Sequence, residues 1–319
     1  MHKILIEVPT WLGDCVMATP AIENIVKLHP DSDITIFGSI ISTKVFEHHP
    51  NVKCIVIDSS REENFRTLYL YKQAKQLGKF DCAMSFRRTI ASKLFVWFSE
   101  ATIKGSYKRY TKQAIHQVIR YNDFVNKTFK ANTIASQLTV YKNLTPFKVI
   151  KSDKKLLGIN PGASYGSAKR WYPEEFAKVA SELSDQYDIV IFGGPGEMDI
   201  ALDIEKSLLD KGVKNYQNLA GKSTIPELIN RISNLNLFIT GDSGPMHVAA
   251  AFEVPTVAIF GPTKDDETSQ WMNEKSLIVK KNLDCQPCMK RNCPLQHHDC
   301  MRLIKANDVL SSVNNLSLK

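Results

Sequence analysis

The sequence predicts a doubly wound α/β protein of two domains, and three observations carry that expectation. Short apolar runs rich in β-branched residues recur along the chain, separated by segments of helix length. Glycine-containing loops follow several of these runs, where a parallel sheet opens to ligands. The length, 319 residues, is more than one core of ordinary size holds. Hydrophobic residues at 43% and charged residues at 23% are those of a soluble globular chain. No apolar run approaches the roughly 20 residues that span a bilayer. The amino-terminal patch is too short for a secretory signal and is interrupted by Glu7, so a cytoplasmic location is expected. Seven cysteines, an odd number, ask for no disulfide framework in such a compartment.

Lys3–Val8 reads as the first strand. The stretch from Pro9 to Pro20 then reads as a loop containing Gly13-Asp14, and a helix runs from about Ala21 to Leu28. Further strands are expected at 34–37, 53–58 and 80–86, with Arg87 and Arg88 just beyond the last. A lone Gly-Asp after a first strand reads as a turn with an N-cap at Asp14. The formal net charge of +8 is unevenly placed: residues 87–155 hold 15 Lys/Arg against 3 Asp/Glu, more than the whole surplus. Such a zone meets an anionic partner: nucleic acid, an anionic membrane surface or a phosphorylated glycolipid. Within it Tyr107, Tyr110, Tyr121, Phe124 and Phe129 alternate with cations, a pattern also seen where nucleic-acid bases stack. The polar stretch 145–155 is the expected linker, dividing the chain into domains 1–150 and 151–319.

The second domain opens with a strand at 156–160. The loop Pro161-Gly162-Ala163-Ser164-Tyr165-Gly166-Ser167-Ala168-Lys169-Arg170-Trp171 follows, whose hydroxyls and cations suit a diphosphate. Arg170 has Glu174 and Glu175 as alternative partners. A strand at 188–192 precedes Gly193-Gly194-Pro195-Gly196-Glu197, where Glu197 reads as a first-turn glutamate favoured by the helix dipole. Thr224-x-x-Glu227 is a capping box. Strands at 237–240 and 256–260 enclose Gly241-Asp242-Ser243-Gly244-Pro245-Met246-His247 and a short helix, a βαβ unit whose loop amides face an anion. A final helix is expected over 302–316.

Several of these strings resemble one family. Trp11-Leu12-Gly13-Asp14-x-x-Met17-x-Thr19-Pro20, Pro161-Gly162-Ala163 with Lys169-Arg170-Trp171, Gly193-Gly194-x-x-Glu197, the segment 218–228 and Gly241–His247 are similar to signatures of the glycosyltransferase family containing the ADP-heptose:lipopolysaccharide heptosyltransferases. Cys293-Pro294-x-x-His297-His298-x-Cys300-Met301 resembles its heptosyltransferase II branch. The resemblance implies the GT-B architecture, two Rossmann-like domains facing across a cleft, with the acceptor held by the first and the donor by the second. It implies ADP-heptose as donor, with no cofactor required, and as acceptor the phosphorylated lipopolysaccharide inner core bearing one heptose. Asp14 is then the general base, acting most simply on O3 of that heptose. Lys169 contacts the diphosphate. Ser164, Gly193, Glu197, Asp242, Ser243, Gly244, Pro245, Met246 and His247 complete the donor site, and Gly13, Arg87, Arg88 and Lys93 face the acceptor. Peripheral contact with the anionic cytoplasmic face of the inner membrane is also expected, and nucleic acid is not. Two alternatives share parts of this pattern. A heptosyltransferase I or III would carry the same donor motifs. A nucleic-acid-binding protein would use the basic aromatic zone with a zinc knuckle at Cys285, Cys288, Cys293 and Cys300, whose spacing suits tetrahedral zinc as well as four reduced structural cysteines.

Overall fold

The computed structural model describes residues 1–142 and 153–317, and the chain divides into two compact units, 1–143 and 144–319. The expected linker over 145–155 and the boundary at 150 fall largely outside the described residues.

In the first unit β1 (Lys3–Glu7) is followed by α1 (Leu12–Met17), α2 (Thr19–Leu28), β2 (Asp33–Gly38), α3 (Ile40–Thr43), β3 (Val52–Ile57), α4 (Arg66–Gln76), β4 (Lys79–Ser85), α5 (Ile90–Phe98), β5 (Glu100–Ser106) and α6 (Gln117–Phe129). The five strands are parallel in the order β3-β2-β1-β4-β5. Ile4, Leu5 and Ile6 of β1 are at most 1% exposed, because a central parallel strand is covered on both faces. The winding reverses between β1 and β4, which places Glu7 beside Ser85 at the point where such sheets accept ligands.

The stretch 12–17 is helical rather than a loop. Gly13, Cys15, Val16 and Met17 bury one face of α1, and Asp14 lies on the partly exposed remainder. Apolar burial over six residues outweighs the weak helix preference of Gly13 and the lack of a side-chain cap at Trp11.

The second unit runs β6 (Lys155–Asn160), α7 (Pro173–Leu183), β7 (Tyr187–Ile191), α8 (Met198–Asp210), β8 (Tyr216–Asn218), α9 (Ile225–Ile232), β9 (Leu237–Gly241), α10 (Gly244–Ala251), β10 (Thr256–Ile259), α11 (Asp265–Thr268), β11 (Ser276–Val279), α12 (Asp299–Arg302) and α13 (Ala306–Ser317). Its six parallel strands are ordered β11-β10-β9-β6-β7-β8, so the reversal lies between β6 and β9. Asn160 and Thr240 sit opposite each other at its mouth. Thr224 and Glu227 form the expected capping box, each bonding the other's backbone N–H. The final helix is broken at 303–305, where Ile304 turns into the core and offers its carbonyl to the Trp171 indole N–H.

Candidate functional site

At the carboxyl ends of the first sheet Asp14 stands on α1, within electrostatic reach of two buried groups. Burial pushes the Cys15 thiol and the Tyr121 phenol well above their usual ranges, and the Asp14 charge adds to both shifts. At the same ends of the sheet Arg87, 8% exposed, follows β4 and bridges the ends of β1 and β3. Its Nε donates to the Val8 carbonyl at 2.7 Å, and its Nη1 lies 2.8 Å from Asp58 Oδ2 and 3.2 Å from Glu7 Oε1. Ser92 Oγ donates to the same Glu7 oxygen at 3.0 Å. Burial raises the Glu7 carboxyl above its usual range, against the pull of Arg87, Ser85 and Ser92. For Asp58 burial is outweighed by hydrogen bonds from Ser60 and Arg87 and by the Arg87 charge, so its carboxyl stays below the usual range.

Arg87 is thus a buried tie between the chain before α1 and the end of β3. Of the residues expected to face an acceptor, Gly13 is buried within α1, whereas Arg88 and Lys93 are exposed. A surface depression of about 750 Å³, lined in part by Lys3, Phe80, Asp81 and Glu100, lies at the opposite ends of these strands.

The basic aromatic zone resolves into a core and a rim. Tyr107, Tyr121 and Phe124 are at most 4% exposed and pack together with Phe86, so they offer no open platform for bases. Lys104, Lys108, Arg109, Lys112, Lys127 and Lys130 are exposed, while Arg120 is buried and donates to the carbonyls of Ile115 and Gln113. The alternation is that of a packed helix and loop with solvated cations outside.

At the mouth of the second sheet the structure brings Lys169 and Asp242 together. Lys169 Nζ is 2.6 Å from Asp242 Oδ2, with the side chains 12% and 7% exposed. Thr263 Oγ1 donates to the same oxygen at 2.6 Å. Ser243 is the N-cap of α10 but caps nothing with its side chain; its hydroxyl lies 3.1 Å from Thr240 Oγ1 and accepts from Asn160 Nδ2 at 3.2 Å. The first-turn N–H groups of α10 therefore have no side-chain cap, and a helix amino end of this kind attracts an anion. Pro245, which lacks an N–H, takes a place where none is needed. Gly244 opens the helix. Met246 is wholly buried against Ala258 and Phe260, and His247 is 3% exposed. These two side chains build the interior of the loop.

Glu197 stands between two loops of the site. Its Oε2 accepts the Gly194 N–H at 2.7 Å, and a Cβ on Gly162 would overlap its carboxylate. Gly162 is required by this close approach. The preceding Gly193 is the bend at which that loop leaves β7, and its carbonyl accepts the Gly221 N–H. Ser164 is exposed at the rim. Arg170 pairs with neither Glu174 nor Glu175 among the described residues; Glu175 instead accepts the Ala306 N–H and meets Lys178. Sequence reasoning passed over Asn160 as a hub and Thr263 as the partner of Asp242. A polar residue ending an apolar strand was the available signal for Asn160.

Among the described residues no three His, Cys, Asp or Glu side chains converge to hold a metal ion, so the zinc spacing at Cys285, Cys288, Cys293 and Cys300 finds no ligand cluster. Burial, with the neighbouring cysteines, pushes the Cys300 thiol up to about 11.

The chain is thus an α/β protein of two doubly wound parallel sheets, each with polar side chains gathered at the strand ends where such sheets accept ligands. Residues 71–298 match the model of glycosyltransferase family 9 (heptosyltransferase). The chain belongs to that family. It is 40% identical over 326 residues to the lipooligosaccharide heptosyltransferase 2 of Campylobacter jejuni serotype O:2, covering 98% of each chain. Among solved structures it is similar to a family 9 glycosyltransferase from Veillonella parvula, with TM-score 0.82, 22% identity and coverage of 99% and 97%. It is also similar to Escherichia coli ADP-heptose lipopolysaccharide heptosyltransferase II, with TM-score 0.81, 21% identity and coverage of 99% and 98%. The fold is that of GT-B glycosyltransferases.

Proposed function

We propose that this glycosyltransferase is a heptosyltransferase II. It moves L-glycero-D-manno-heptose from ADP-heptose to the first heptose of the lipopolysaccharide or lipooligosaccharide inner core. The observation that carries the reading is the Lys169–Asp242 contact at 2.6 Å beside the amino end of α10. It sets a cation for a diphosphate against a carboxylate that can only accept hydrogen bonds, as sugar hydroxyls require. The 40% identity to a lipooligosaccharide heptosyltransferase 2 supports the choice of branch.

In this reading Asp14 takes the proton from O3 of the acceptor heptose. The oxygen attacks the anomeric carbon of the donor from the face opposite ADP, the anomeric C–O bond breaks, and configuration inverts. Lys169 and the α10 amides stabilise the charge that develops on the departing diphosphate. Glu197 accepts from the ribose hydroxyls, and Asp242 holds hydroxyls of the donor heptose. Arg88 and Lys93 meet acceptor phosphates, and Arg87 fixes the chain entering α1. No step calls on a cofactor. In this reading the enzyme works in the cytoplasm at the inner face of the inner membrane, and the exposed cations of the first unit, which suit an anionic leaflet, support it.

The test is transfer from ADP-heptose to defined cores. A core bearing one heptose is the expected acceptor, and the heptose-free core is not. Use of the heptose-free core would reassign the enzyme to the first transfer, and use only of longer cores to a later one. Asp14→Asn is expected to lower kcat by about 10²–10⁴-fold while ADP binding is retained; wild-type turnover in that variant would remove Asp14 as the base.

A further inference from the structure

The cysteine-rich segment 285–300 is fastened onto both loops of the donor site. Tyr165 Oη donates to the Met289 carbonyl at 2.9 Å, the Ala168 N–H to the Arg291 carbonyl at 3.0 Å, and Ser167 Oγ to Asn292 Oδ1 at 2.9 Å. His298 Nε2 lies 2.9 Å from the Ala168 carbonyl. On the other side the Met289 N–H donates to the Pro262 carbonyl, and Gln286 Nε2 to that of Gly261. Gly166 passes so close that a Cβ there would collide with the Arg291 carbonyl. The backbone at 289–292 is therefore fixed against the loop that carries Lys169 and against the loop that carries Thr263.

From this fixed backbone the exposed Arg291 side chain reaches the Tyr165 ring, with its guanidinium carbon 5.5 Å from the centroid. Lys169 Nζ is 5.1 Å from the same centroid. Two cations thus share one aromatic ring and lie no more than about 11 Å apart. Their charges are not equivalent. Lys169 is paired with Asp242, whereas no carboxylate among the described residues pairs with Arg291. The paired lysine offers less net positive charge to an incoming diphosphate than a lone one, so a second, unpaired cation beside it adds to the neutralisation. Arg291 has a rigid base, a planar fork suited to phosphate oxygens, and a place beside the lysine.

We infer that Arg291 is a second diphosphate-binding residue of the donor site and that segment 285–300 is a wall of that site. The inference rests on the donor-site reading above. The segment holds Arg291 on the Tyr165 ring until the sugar nucleotide enters, and the guanidinium then turns to the phosphate oxygens.

The experiment compares ADP and adenosine on the full chain: calorimetric titration with ADP, and adenosine as a competitor of ADP. Arg291→Ala and Arg291→Gln are expected to weaken ADP about tenfold or more, with Arg291→Lys intermediate and adenosine unchanged in all three. Arg291→Gln keeps much of the stem that packs on Tyr165, so it reads the charge even where the alanine variant folds poorly. Equal ADP affinity in wild type and Arg291→Gln would overturn the inference while leaving the donor site in place, and parallel weakening of ADP and adenosine would reduce Arg291 to a structural role. A wild-type chain that binds no ADP would refute the donor-site reading itself, and this inference with it.

Discussion

Replacing Asp242 by asparagine is expected to have effects of opposite sign on ADP and on sugar transfer. The substituted amide keeps the size of the side chain and an oxygen for Thr263 Oγ1, but it removes the negative charge 2.6 Å from Lys169 Nζ. Coulomb's law at 2.6 Å gives about 1.6 kcal/mol in bulk water and about 6 kcal/mol at an effective dielectric of about 20. The side chains are 12% and 7% exposed, which places the pair between these limits. Desolvation and side-chain ordering offset most of the upper figure, leaving about 1–2 kcal/mol that binds Lys169 to its partner. A diphosphate must compete for Lys169 against that attraction and approach a carboxylate of its own sign. Asp242→Asn releases both restraints, so ADP should bind about five- to thirtyfold more tightly. ADP-heptose loses an acceptor for its hydroxyls, and kcat should fall. Calorimetry with ADP and a steady-state transfer assay give the two readouts. If Asp242→Asn weakens ADP tenfold, the pair is a preformed unit that binds the diphosphate as a whole, and the competition argument fails.

Arg87→Met leaves Glu7 and Asp58 buried without their shared cation and is expected to destabilise the chain by about 3–5 kcal/mol, read from denaturant unfolding; a loss below about 1 kcal/mol would show that the tie is dispensable. Arg87→Lys should not restore stability, because one ammonium cannot reach Val8, Asp58 and Glu7 together. Glu7→Gln probes pH. The Glu7 carboxyl is held above its ordinary 4.5, chiefly by burial, so the folded chain retains its proton longer than the unfolded chain, and wild-type stability falls as pH rises from about 4.5 through the folded value. The stability difference, variant minus wild type, should therefore grow over that window and then level off; a flat difference would mean that Glu7 is not held high. Asp58, held low, acts in the other direction and only below its ordinary 3.8, where its stabilisation is lost with acid in both proteins. Gly162→Ala forces the Glu197 carboxylate away and should cost about 1–3 kcal/mol in stability together with ADP affinity; an unchanged melting temperature would deny the close approach.

The central strands were legible because burial on both faces demands continuous apolar runs, as in Ile4–Ile6 and Leu237–Ile239. The strands that escaped are β5, β8 and β11, and all three are sheet edges. Glu100–Ser106 alternates polar and apolar residues, Tyr216–Asn218 is three residues long, and Ser276–Leu277-Ile278-Val279 is mostly half-buried. An edge strand has one neighbour, so its sequence carries a weaker signal. The glycine loops of the second unit stood out for a different reason: taken singly such loops recur widely, and it was their joint resemblance to one family's signatures that singled them out. That Lys169 and Asp242 touch was not legible, since their loops are distant in sequence and are brought together by the register of β6 against β9. Arg87 shows the limit of reading charge from sequence, since an arginine just past a strand looks the same whether it faces a ligand or ties strand ends together.

Glu7 and Asn160 make the same point from opposite units. Each ends the first strand of its sheet, one beside the β1–β4 reversal and the other beside the β6–β9 reversal, and each is polar where the strand before it is not. At a reversal the two neighbouring loops leave in opposite directions, so a polar side chain at the strand end has groups from more than one segment within reach. Asn160 answers with Nδ2 directed to Gly162, Thr240 and Ser243, and Glu7 with a carboxylate that gathers Arg87 and Ser92. These contacts tie together the strand ends and loops from which Lys169, Asp242 and Asp14 project. Substituting Glu7 or Asn160 should therefore disturb the site through geometry and stability, whereas substituting the ligand-facing residues should change affinity and rate with the fold intact.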